Sequence, residues 1–178
     1  MSVVACRILE SGGYEIASDS ISVRGFTQTK SDNSKFSKLF EENGLVIGGV
    51  GSAKEIALMQ LYCRTHKPSA ADESAFLEFI SEFVSWKKDK TNENGIDNVY
   101  LMGFNGKVFH IEGWLIEEIT TYEAIGAGMS FALAALFLGK TPKEAVEVAI
   151  ELSIYCEGPI NVISKPGPDN GKKKKAAK

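Results

Sequence analysis

The chain has 178 residues, enough for a single domain with a sizeable core. Its 44% hydrophobic and 24% charged content is typical of a soluble globular protein, and a net charge of −3 gives no general reason to expect a nucleic-acid partner. The charge is unevenly spread, because five of the 20 basic residues lie after residue 171. We therefore expect an acidic folded part followed by a basic tail.

Cysteine and histidine usage argues against metal or disulfide chemistry. Cys6, Cys63 and Cys156 are widely spaced and form no CxxC pair, which favours reduced thiols in a cytoplasmic protein. His66 and His110 are 44 residues apart with no third candidate ligand, so we expect neither a metal nor another cofactor. No apolar run approaches the ~18 residues of a membrane span, and no signal-peptide pattern is seen, so we expect no membrane association.

The N-terminal stretch predicts strands joined by tight turns. A first strand covers residues 1–8, Gly12-Gly13 is a two-residue hairpin signal, and residues 14–19 return as a second strand. Residues 20–25 alternate again, and residues 35–40 lead into a further apolar strand.

Capping signals mark where the helices begin. Ser52 with Glu55, and Thr141 with Glu144, have the spacing of a capping box, and Asp72 is suited to cap another helix. After residue 40 we predict, in chain order, a turn at Asn43-Gly44, a strand over 45–50, helices over 53–65 and 73–90, strands over 99–104 and 107–111 joined by Asn105-Gly106, strands over 114–119 and 122–125, helices over 129–138 and 142–155, and a strand over 159–163.

The order of these elements predicts an α+β fold. The helix over 129–138 is apolar on nearly all sides, so we expect it to be buried between layers. Two antiparallel sheets packed face to face, with a helix pair outside each sheet, would cover every apolar face. We therefore predict a four-layer αββα sandwich over residues 1–165, followed by a disordered basic tail over 166–178.

Ser2 gives the first indication of chemistry. Its small side chain favours removal of Met1, which would leave a hydroxyl and a free α-amine on the same residue. A hydroxyl needs a base to become a nucleophile, and an α-amine with a pKa near ~8 can act as that base.

The order of the N-terminal motifs resembles a known family. A strand, a Gly12-Gly13 turn, a strand ending in Ala17-Ser18-Asp19 and a lysine before an apolar strand follow Ser2. This order resembles the proteasome β-subunits and the bacterial HslV peptidase, which are N-terminal-nucleophile (Ntn) hydrolases, and the resemblance extends to about Ile163. It implies the same αββα sandwich that the element pattern predicts independently.

The resemblance also implies roles for particular residues. Ser2 would be the nucleophile, with its α-amine as the base, in place of the threonine that most family members carry. Lys35 matches the family's active-site lysine, whose charge would lower the pKa values of the amine and the hydroxyl. Asp19 matches the aspartate that holds this lysine, and Gly51 matches the glycine whose N–H stabilises the oxyanion.

Substrate and partners follow from the same resemblance. Unfolded polypeptide would lie extended along the strand around Val23, and Asn33, Ser37, Gly49 and Ala53 match positions that line the main specificity pocket. All four are small or polar, so we expect a roomy pocket. The family implies stacked homo-oligomeric rings that enclose the site, and an ATP-dependent unfoldase as a possible partner.

Two departures from the family pattern support other hypotheses. Ala127 replaces the serine of the family's Gly-Ser-Gly motif, and the aspartate-serine pair before the last strand is not recognisable, although Glu157 could supply the acid. One alternative is therefore a catalytically weak or inactive subunit that builds a ring. Another is a hydrolase of small amides, because a fold does not fix its substrate.

Overall fold

The computed structural model of the chain describes residues 1–30 and 37–167. Within them the chain forms the predicted blocks of strands, two helices, strands, two helices and a closing strand. The strands are β1 (Val4–Ile8), β2 (Gly13–Ser18), β3 (Ile21–Arg24), β4 (Thr27–Lys30), β5 (Leu39–Glu42), β6 (Leu45–Val50), β7 (Val99–Phe104), β8 (Lys107–Glu112), β9 (Leu115–Ile119), β10 (Tyr122–Ile125) and β11 (Asn161–Pro166). The helices are α1 (Ala53–Cys63), α2 (Glu73–Thr91), α3 (Met129–Phe137) and α4 (Pro142–Leu152).

The strands form two antiparallel sheets and a short ribbon. The first sheet has the order β10-β1-β2-β11 and the second the order β5-β6-β7-β8-β9, while β3 and β4 make the ribbon. Helices α3 and α4 pack on the first sheet, and α1 and α2 pack on the second. The predicted four-layer αββα sandwich is confirmed.

Asn-Gly turns close two of the hairpins, as predicted. Asn43 and Gly44 have φ values of 53° and 83°, and Asn105 and Gly106 have φ values of 47° and 83°. Two consecutive left-handed residues give a turn whose twist matches that of the flanking strands. These turns set the registers of β5 against β6 and of β7 against β8.

The two sheets pack directly on each other through apolar side chains. Val4 of the first sheet meets Val46 and Leu101 of the second in one buried cluster. At Gly103 a Cβ atom would overlap the Tyr14 ring, so this close approach requires a glycine. The packing fixes β1, and with it the segment that begins at Ser2.

Aromatic side chains fill the space between the second sheet and its helices. They are Tyr62, Phe76, Phe79, Phe83, Tyr100 and Phe109, all buried. The rings of Phe76 on α2 and Phe109 on β8 lie 4.3 Å apart between centroids. The apolar residues of α2 are therefore mostly core.

The helix starts confirm two of the three capping predictions. Asp72 accepts a hydrogen bond from the Ala75 N–H at 2.9 Å, and Thr141 and Glu144 form a complete capping box. The capping box predicted at Ser52 is wrong, because the Ser52 side chain makes no capping hydrogen bond. Glu55 instead points inward and accepts a hydrogen bond from Lys87 Nζ at 2.5 Å.

Helix α3 lies in the outer layer, which corrects the prediction that it is buried between layers. It turns Ala132, Ala135 and Leu136 inward, while Phe137 and Leu138 are 76% and 77% exposed. The two inward alanines let the helix pack closely on the sheet, and its other large side chains remain partly or largely exposed. Uniform apolarity therefore indicated an outward apolar face rather than burial on every side.

Two strands differ from the predictions for a shared reason. Strand β4 is polar throughout, and β11 has no buried residue, so neither carries a strong apolar signal. β11 pairs with β2 and ends at Pro166, three residues beyond the predicted strand. The predicted tail from residue 168 onward lies outside the described residues.

Candidate active site

Asp19 follows β2 directly and is the centre of a buried polar cluster. Its Oδ1 atom accepts hydrogen bonds from the Val3 N–H at 3.0 Å and from Lys38 Nζ at 2.9 Å. Its Oδ2 atom accepts hydrogen bonds from the N–H groups of Ile21 and Glu157, each at 3.3 Å. A fully buried carboxylate is stabilised by such donors. Asp19 therefore ties the start of β1 to three distant parts of the chain.

Lys38 supplies the positive charge of this cluster. Its side chain is 13% exposed, while that of Asp19 is fully buried. Burial lowers the pKa of the Lys38 ammonium from its usual 10.5, and the Asp19 carboxylate partly offsets this shift. Because Lys38 Nζ and the Val3 N–H share one oxygen of Asp19, the lysine lies close to the peptide that follows Ser2.

The sequence pattern assigned the role of the active-site lysine to Lys35, which lies outside the described residues. Lys38 was missed, although it also fits the motif of a lysine before an apolar strand. The distinguishing signal is its position directly before Leu39, the first residue of β5. Leu39 and Phe40 at the start of β5 are buried, so the backbone at Lys38 is held next to the core.

Ser2 is buried and held through its backbone. It is 3% exposed, and its carbonyl oxygen accepts a hydrogen bond from the Gly128 N–H at 3.1 Å. Its hydroxyl donates to the Met1 carbonyl oxygen. With Met1 in place the Ser2 nitrogen belongs to a peptide bond, so the free α-amine requires the removal of Met1.

The Gly126-Ala127-Gly128 turn contacts Ser2 through its glycines. A Cβ atom at Gly126, where φ is 96°, would overlap the Ser2 carbonyl and crowd the Val50 side chain. Ala127 is exposed, so it places no polar group here. The turn therefore supports the backbone of Ser2 and links it to the end of β6, the strand that leads to Gly51.

Gly51 forms the turn between β6 and α1, as predicted. Its φ of 126° strongly favours glycine, and a Cβ atom there would overlap the Asn98 side chain. The Asn98 amide accepts a hydrogen bond from the Ser52 N–H at 2.6 Å and donates one to the Ser52 carbonyl at 2.9 Å. Sequence reasoning did not single out Asn98, which follows a polar loop.

A thiol next to the cluster was also missed as a site residue. Burial raises the pKa of the Cys156 thiol, and the Asp19 carboxylate raises it further, while a hydrogen bond with Ser153 and the Lys38 charge act in the opposite direction. The Glu157 contact with Asp19 is made by the backbone N–H. The segment after α4 thus closes one side of the cluster.

The predicted substrate-binding residues lie in different parts of the structure. Asn33 lies outside the described residues. Val23 lies on the β3–β4 ribbon opposite Gln28, and Ala53 is exposed at the start of α1. Ser37 caps the backbone N–H of Leu39 with its hydroxyl oxygen at 3.3 Å.

Gly49 has a packing reason for its small size. Its N–H donates to the Lys38 carbonyl at 2.9 Å, which joins the lysine segment to β6. A Cβ atom at Gly49 would come within 2.8 Å of the Tyr100 ring. The prediction that these residues line a specificity pocket stays a prediction.

Among the described residues, no group of three metal-binding side chains occurs. None of the helices in those ranges is long and apolar enough to cross a membrane.

Comparisons with known proteins identify the class of fold. No protein-family model matches the chain, and no curated protein matches it in sequence. Solved structures do match: the chain has a proteasome-like fold of the Ntn-hydrolase type.

Three solved structures illustrate the similarity. The BPH protein of Thiobacillus denitrificans, in complex with epoxomicin, superposes with a TM-score of 0.82 at 14% sequence identity, over 93% of this chain and 99% of that one. A second structure of the same protein gives a TM-score of 0.81 at 14% identity, over 93% and 98%. Anbu, the ancestral beta-subunit from Yersinia bercovieri, gives 0.67 at 18% identity, over 93% and 82%. The resemblance to HslV in particular stays a prediction.

Proposed function

We propose that the chain is a proteasome-like peptidase that cleaves unfolded polypeptide with Ser2 as its N-terminal nucleophile, after Met1 is removed. The supporting observation is the Asp19 carboxylate, which joins the Val3 N–H to the Lys38 ammonium. It holds a cation beside the residue whose hydroxyl and amine would react. The proteasome-like fold adds support, because one of the solved structures that share it is in complex with epoxomicin.

The proposed reaction uses the two groups of Ser2 in turn. The hydroxyl oxygen attacks the scissile carbonyl carbon while its proton passes to the α-amine. The carbon–nitrogen bond then breaks as the ammonium returns the proton to the leaving amine. Water hydrolyses the resulting ester with the α-amine again as base, which regenerates Ser2.

Two other residues would assist this reaction. The charge of Lys38 lowers the pKa values of the amine and the hydroxyl, so that proton transfer becomes easier near neutral pH. The backbone N–H of Gly51 would donate a hydrogen bond to the oxyanion, next to the N-terminus of α1. In this proposal Lys38, rather than Lys35, is the active-site lysine.

Substitution of Ser2 tests the nucleophile. We expect protein that has lost Met1 to cleave an unfolded polypeptide, and Ser2→Ala to reduce kcat by at least ~10³-fold, as expected when a covalent nucleophile is removed. Ser11→Ala, at an exposed serine of the β1–β2 turn, is the matched control. Epoxomicin, the ligand in the BPH complex, is a suitable probe, and mass spectrometry would detect an adduct at Ser2. Cleavage that survives Ser2→Ala would rule out this nucleophile.

Paired lysine variants decide between the two candidates. Lys38→Met removes the charge bonded to Asp19, so we expect a large fall in kcat, with partial recovery in Lys38→Arg. Lys35→Met should leave kcat within about threefold of the parent, since Asp19 keeps its partner. Thermal unfolding of each variant separates lost activity from lost folding. The opposite ranking of the two lysines would return the role to Lys35.

A non-catalytic ring subunit is the second candidate function. Ala127 supports it, because the turn that contacts the Ser2 backbone lacks the family's serine hydroxyl. Intact mass spectrometry of protein from its native host distinguishes the two: retained Met1 favours the structural subunit, and removed Met1 favours the peptidase. Turnover of small amides without proteolysis would instead favour an amide hydrolase.

An outward apolar surface supports the proposal that copies of the chain assemble, because in stacked rings a two-fold contact would join one ring to the other. Large exposed apolar side chains concentrate on the α3–α4 layer: Met129, Phe131, Phe137, Leu138, Leu152, Ile154 and Tyr155. Their exposed parts come to roughly 800 Å², taking ~200 Å² for a large side chain, which is about what one partner contributes to a stable interface.

Charge along α4 suits contact with a second copy. Lys143, Glu147 and Glu151 are exposed at four-residue steps, and Lys143 Nζ lies 3.8 Å from Glu147 Oε1, so the stripe is most acidic at its Glu151 end. Two copies in antiparallel contact would bring opposite charges together, which a two-fold interface allows. The area and the charge of this surface support a second copy of the chain as its partner.

Light scattering after size-exclusion chromatography tests the assembly. We expect Phe137→Ser with Leu138→Ser to reduce the molar mass of the particle while the protomer stays folded. Leu77→Ser, at a 44% exposed leucine of α2, is the control and should leave the mass unchanged. A monomeric parent, or an unchanged mass in the double variant, would contradict this surface. An unfoldase partner and a cytoplasmic location stay predictions.

A further inference from the structure

We propose that Asn98 is a positioning residue that fixes the Gly51–Ser52 turn, and that the buried Glu55–Lys87 pair holds Asn98 in place. The proposal rests on the proposed function, because it concerns the turn that would supply the oxyanion donor. Neither Asn98 nor the ion pair belongs to the reacting groups. Their effect on the reaction would be transmitted through the backbone.

The Asn98 side chain forms hydrogen bonds with both backbone polar groups of Ser52. Its carbonyl oxygen accepts from the Ser52 N–H at 2.6 Å, and its amide donates to the Ser52 carbonyl at 2.9 Å. One side-chain amide thus imitates a strand partner at a point where β6 has ended. Because the Gly51–Ser52 peptide is planar, fixing the Ser52 N–H also fixes the orientation of that peptide.

Gly51 needs this constraint more than other residues would. Glycine occupies left-handed and right-handed regions with similar ease, so a free glycine turn samples several orientations. On its N-terminal side, Val50 pairs with Val99 in the sheet. On its C-terminal side, Asn98 holds Ser52. The two soft backbone angles of Gly51 are therefore clamped between one strand partner and one side chain.

Glu55 positions Asn98 by bonding its backbone. The Oε1 atom accepts from the Asn98 N–H at 3.0 Å and from the Tyr100 hydroxyl at 3.2 Å. The Asp97 N–H lies 3.3 Å from both carboxylate oxygens. Glu55 stands on the first turn of α1, immediately after the segment that Asn98 grips. The contacts form a closed loop from Gly51 through α1 to the start of β7 and back.

Lys87 neutralises the carboxylate that holds this loop. Its ammonium donates to Glu55 Oε2 at 2.5 Å, and both side chains are almost completely buried. A buried carboxylate without a partner would be strongly disfavoured. The pair links α2 to α1, so the turn is held by the whole helical layer. Burial raises the pKa of Tyr100, and the Glu55 charge raises it further. The Tyr100 hydroxyl therefore stays protonated and remains a donor.

Hydrogen exchange tests the grip without any need for activity. In Asn98→Ala we expect the Ser52 amide to exchange at least ~10-fold faster, because its acceptor is gone, while core amides keep their protection. Asn98→Asp keeps an acceptor for that N–H but places a carboxylate oxygen against the Ser52 carbonyl, so exchange there should also rise, by less than in Asn98→Ala. Asn94→Ala, at an exposed position of the same loop, is the control. Unchanged exchange of Ser52 in Asn98→Ala overturns the proposal.

Kinetics test the consequence for the reaction. Removal of an oxyanion donor lowers kcat by ~10²–10³-fold. We therefore expect Asn98→Ala to reduce kcat, with KM changed by less than about threefold. Asn98→Asp should recover part of kcat. A fall in activity that comes only from KM, or an unchanged kcat, contradicts positioning of the donor. If Asn98→Ala does not fold, Asn98→Asp takes its place, and a Ser52 exchange rate and kcat equal to those of Asn94→Ala would overturn the proposal.

The two proposals can fail separately. A parent protein that lacks Met1 and shows no turnover would refute the peptidase, while exchange at Ser52 would still decide whether Asn98 holds the turn. A parent that is active, together with an Asn98→Ala variant of unchanged kcat, would refute the positioning role and leave the peptidase standing.

Discussion

The two helical layers of the sandwich are built on opposite plans. The α1–α2 layer packs large aromatic side chains against its sheet and contains the buried Glu55–Lys87 pair. The α3–α4 layer packs mainly small residues against its sheet, among them Ala132, Ala135, Ala145 and Ala149. Its large apolar residues instead face outward.

This difference separates two uses of apolar surface. In the aromatic layer the large side chains stabilise the protomer, and only Leu61 and Leu77 among the large apolar residues of its helices are exposed. In the alanine layer the inner contact is close but small, and the outer face remains available for a partner. Stability of the protomer and assembly of copies are therefore assigned to different layers.

The largest expected effect is on the buried ion pair of the aromatic layer. Lys87→Ala leaves the Glu55 carboxylate buried and unpaired, so we expect a loss of about 3–5 kcal/mol in the free energy of unfolding. Denaturant unfolding measures it. Lys88→Ala, one residue along on the exposed side, should change this free energy by less than about 0.5 kcal/mol. Equal losses in both variants would show that the pair has no special role.

An intermediate effect is expected inside the alanine layer. Ala149 is fully buried, and a Cβ atom added at Gly128 would lie 3.1 Å from the Cβ atom of Ala149. Ala149→Leu should therefore overpack the contact and cost about 1–3 kcal/mol. Ala134→Leu, on the exposed face of α3, should be tolerated in the protomer. Similar stability of both variants would mean that the inner contact is loose, contrary to the comparison.

The smallest effect is expected at the start of α4. Thr141→Ala removes the side-chain acceptor for the Glu144 N–H and should cost about 1 kcal/mol in thermal unfolding, whereas Thr141→Ser should retain most of the stability. The capping box, with Lys140, also lowers the pKa of Glu144 to about 2. Because this pKa is depressed in the folded state, the Glu144 contribution is present above about pH 4.5 and is lost as the pH falls towards 2. An NMR titration of Glu144 near its ordinary pKa would contradict this.

Local signals were enough to predict most of the fold. Asn-Gly turns, the Asp72 cap and the Thr141–Glu144 box depend on a few neighbouring residues, and they were found correctly. Elements without an apolar pattern, such as β4 and the end of β11, gave no comparable signal. The orientation of α3 also could not be predicted, because a helix apolar on all sides does not show which face meets the sheet.

The candidate site was predictable in type more than in detail. The chain order indicated Ser2, Asp19 and Gly51 as site residues. In the structure the Asp19 carboxylate accepts a hydrogen bond from Val3, the residue after Ser2. Lys38 was missed because two lysines occur within one short segment, and only the register of β5 separates them. Asn98 was missed because it joins the start of β7 to the turn before α1 and to Glu55. Cys156 was missed because it lies more than a hundred residues from Asp19 in sequence. No local pattern reports either relation.

The partners of Asp19 also bear on when the site can form during synthesis. One oxygen of its carboxylate accepts a hydrogen bond from the Val3 N–H, and the other accepts one from the Glu157 N–H, 138 residues after Asp19. A growing polypeptide therefore lacks the complete arrangement until the segment that contains Glu157 has emerged from the ribosome. Translation order by itself delays the mature geometry until the scaffold around it exists.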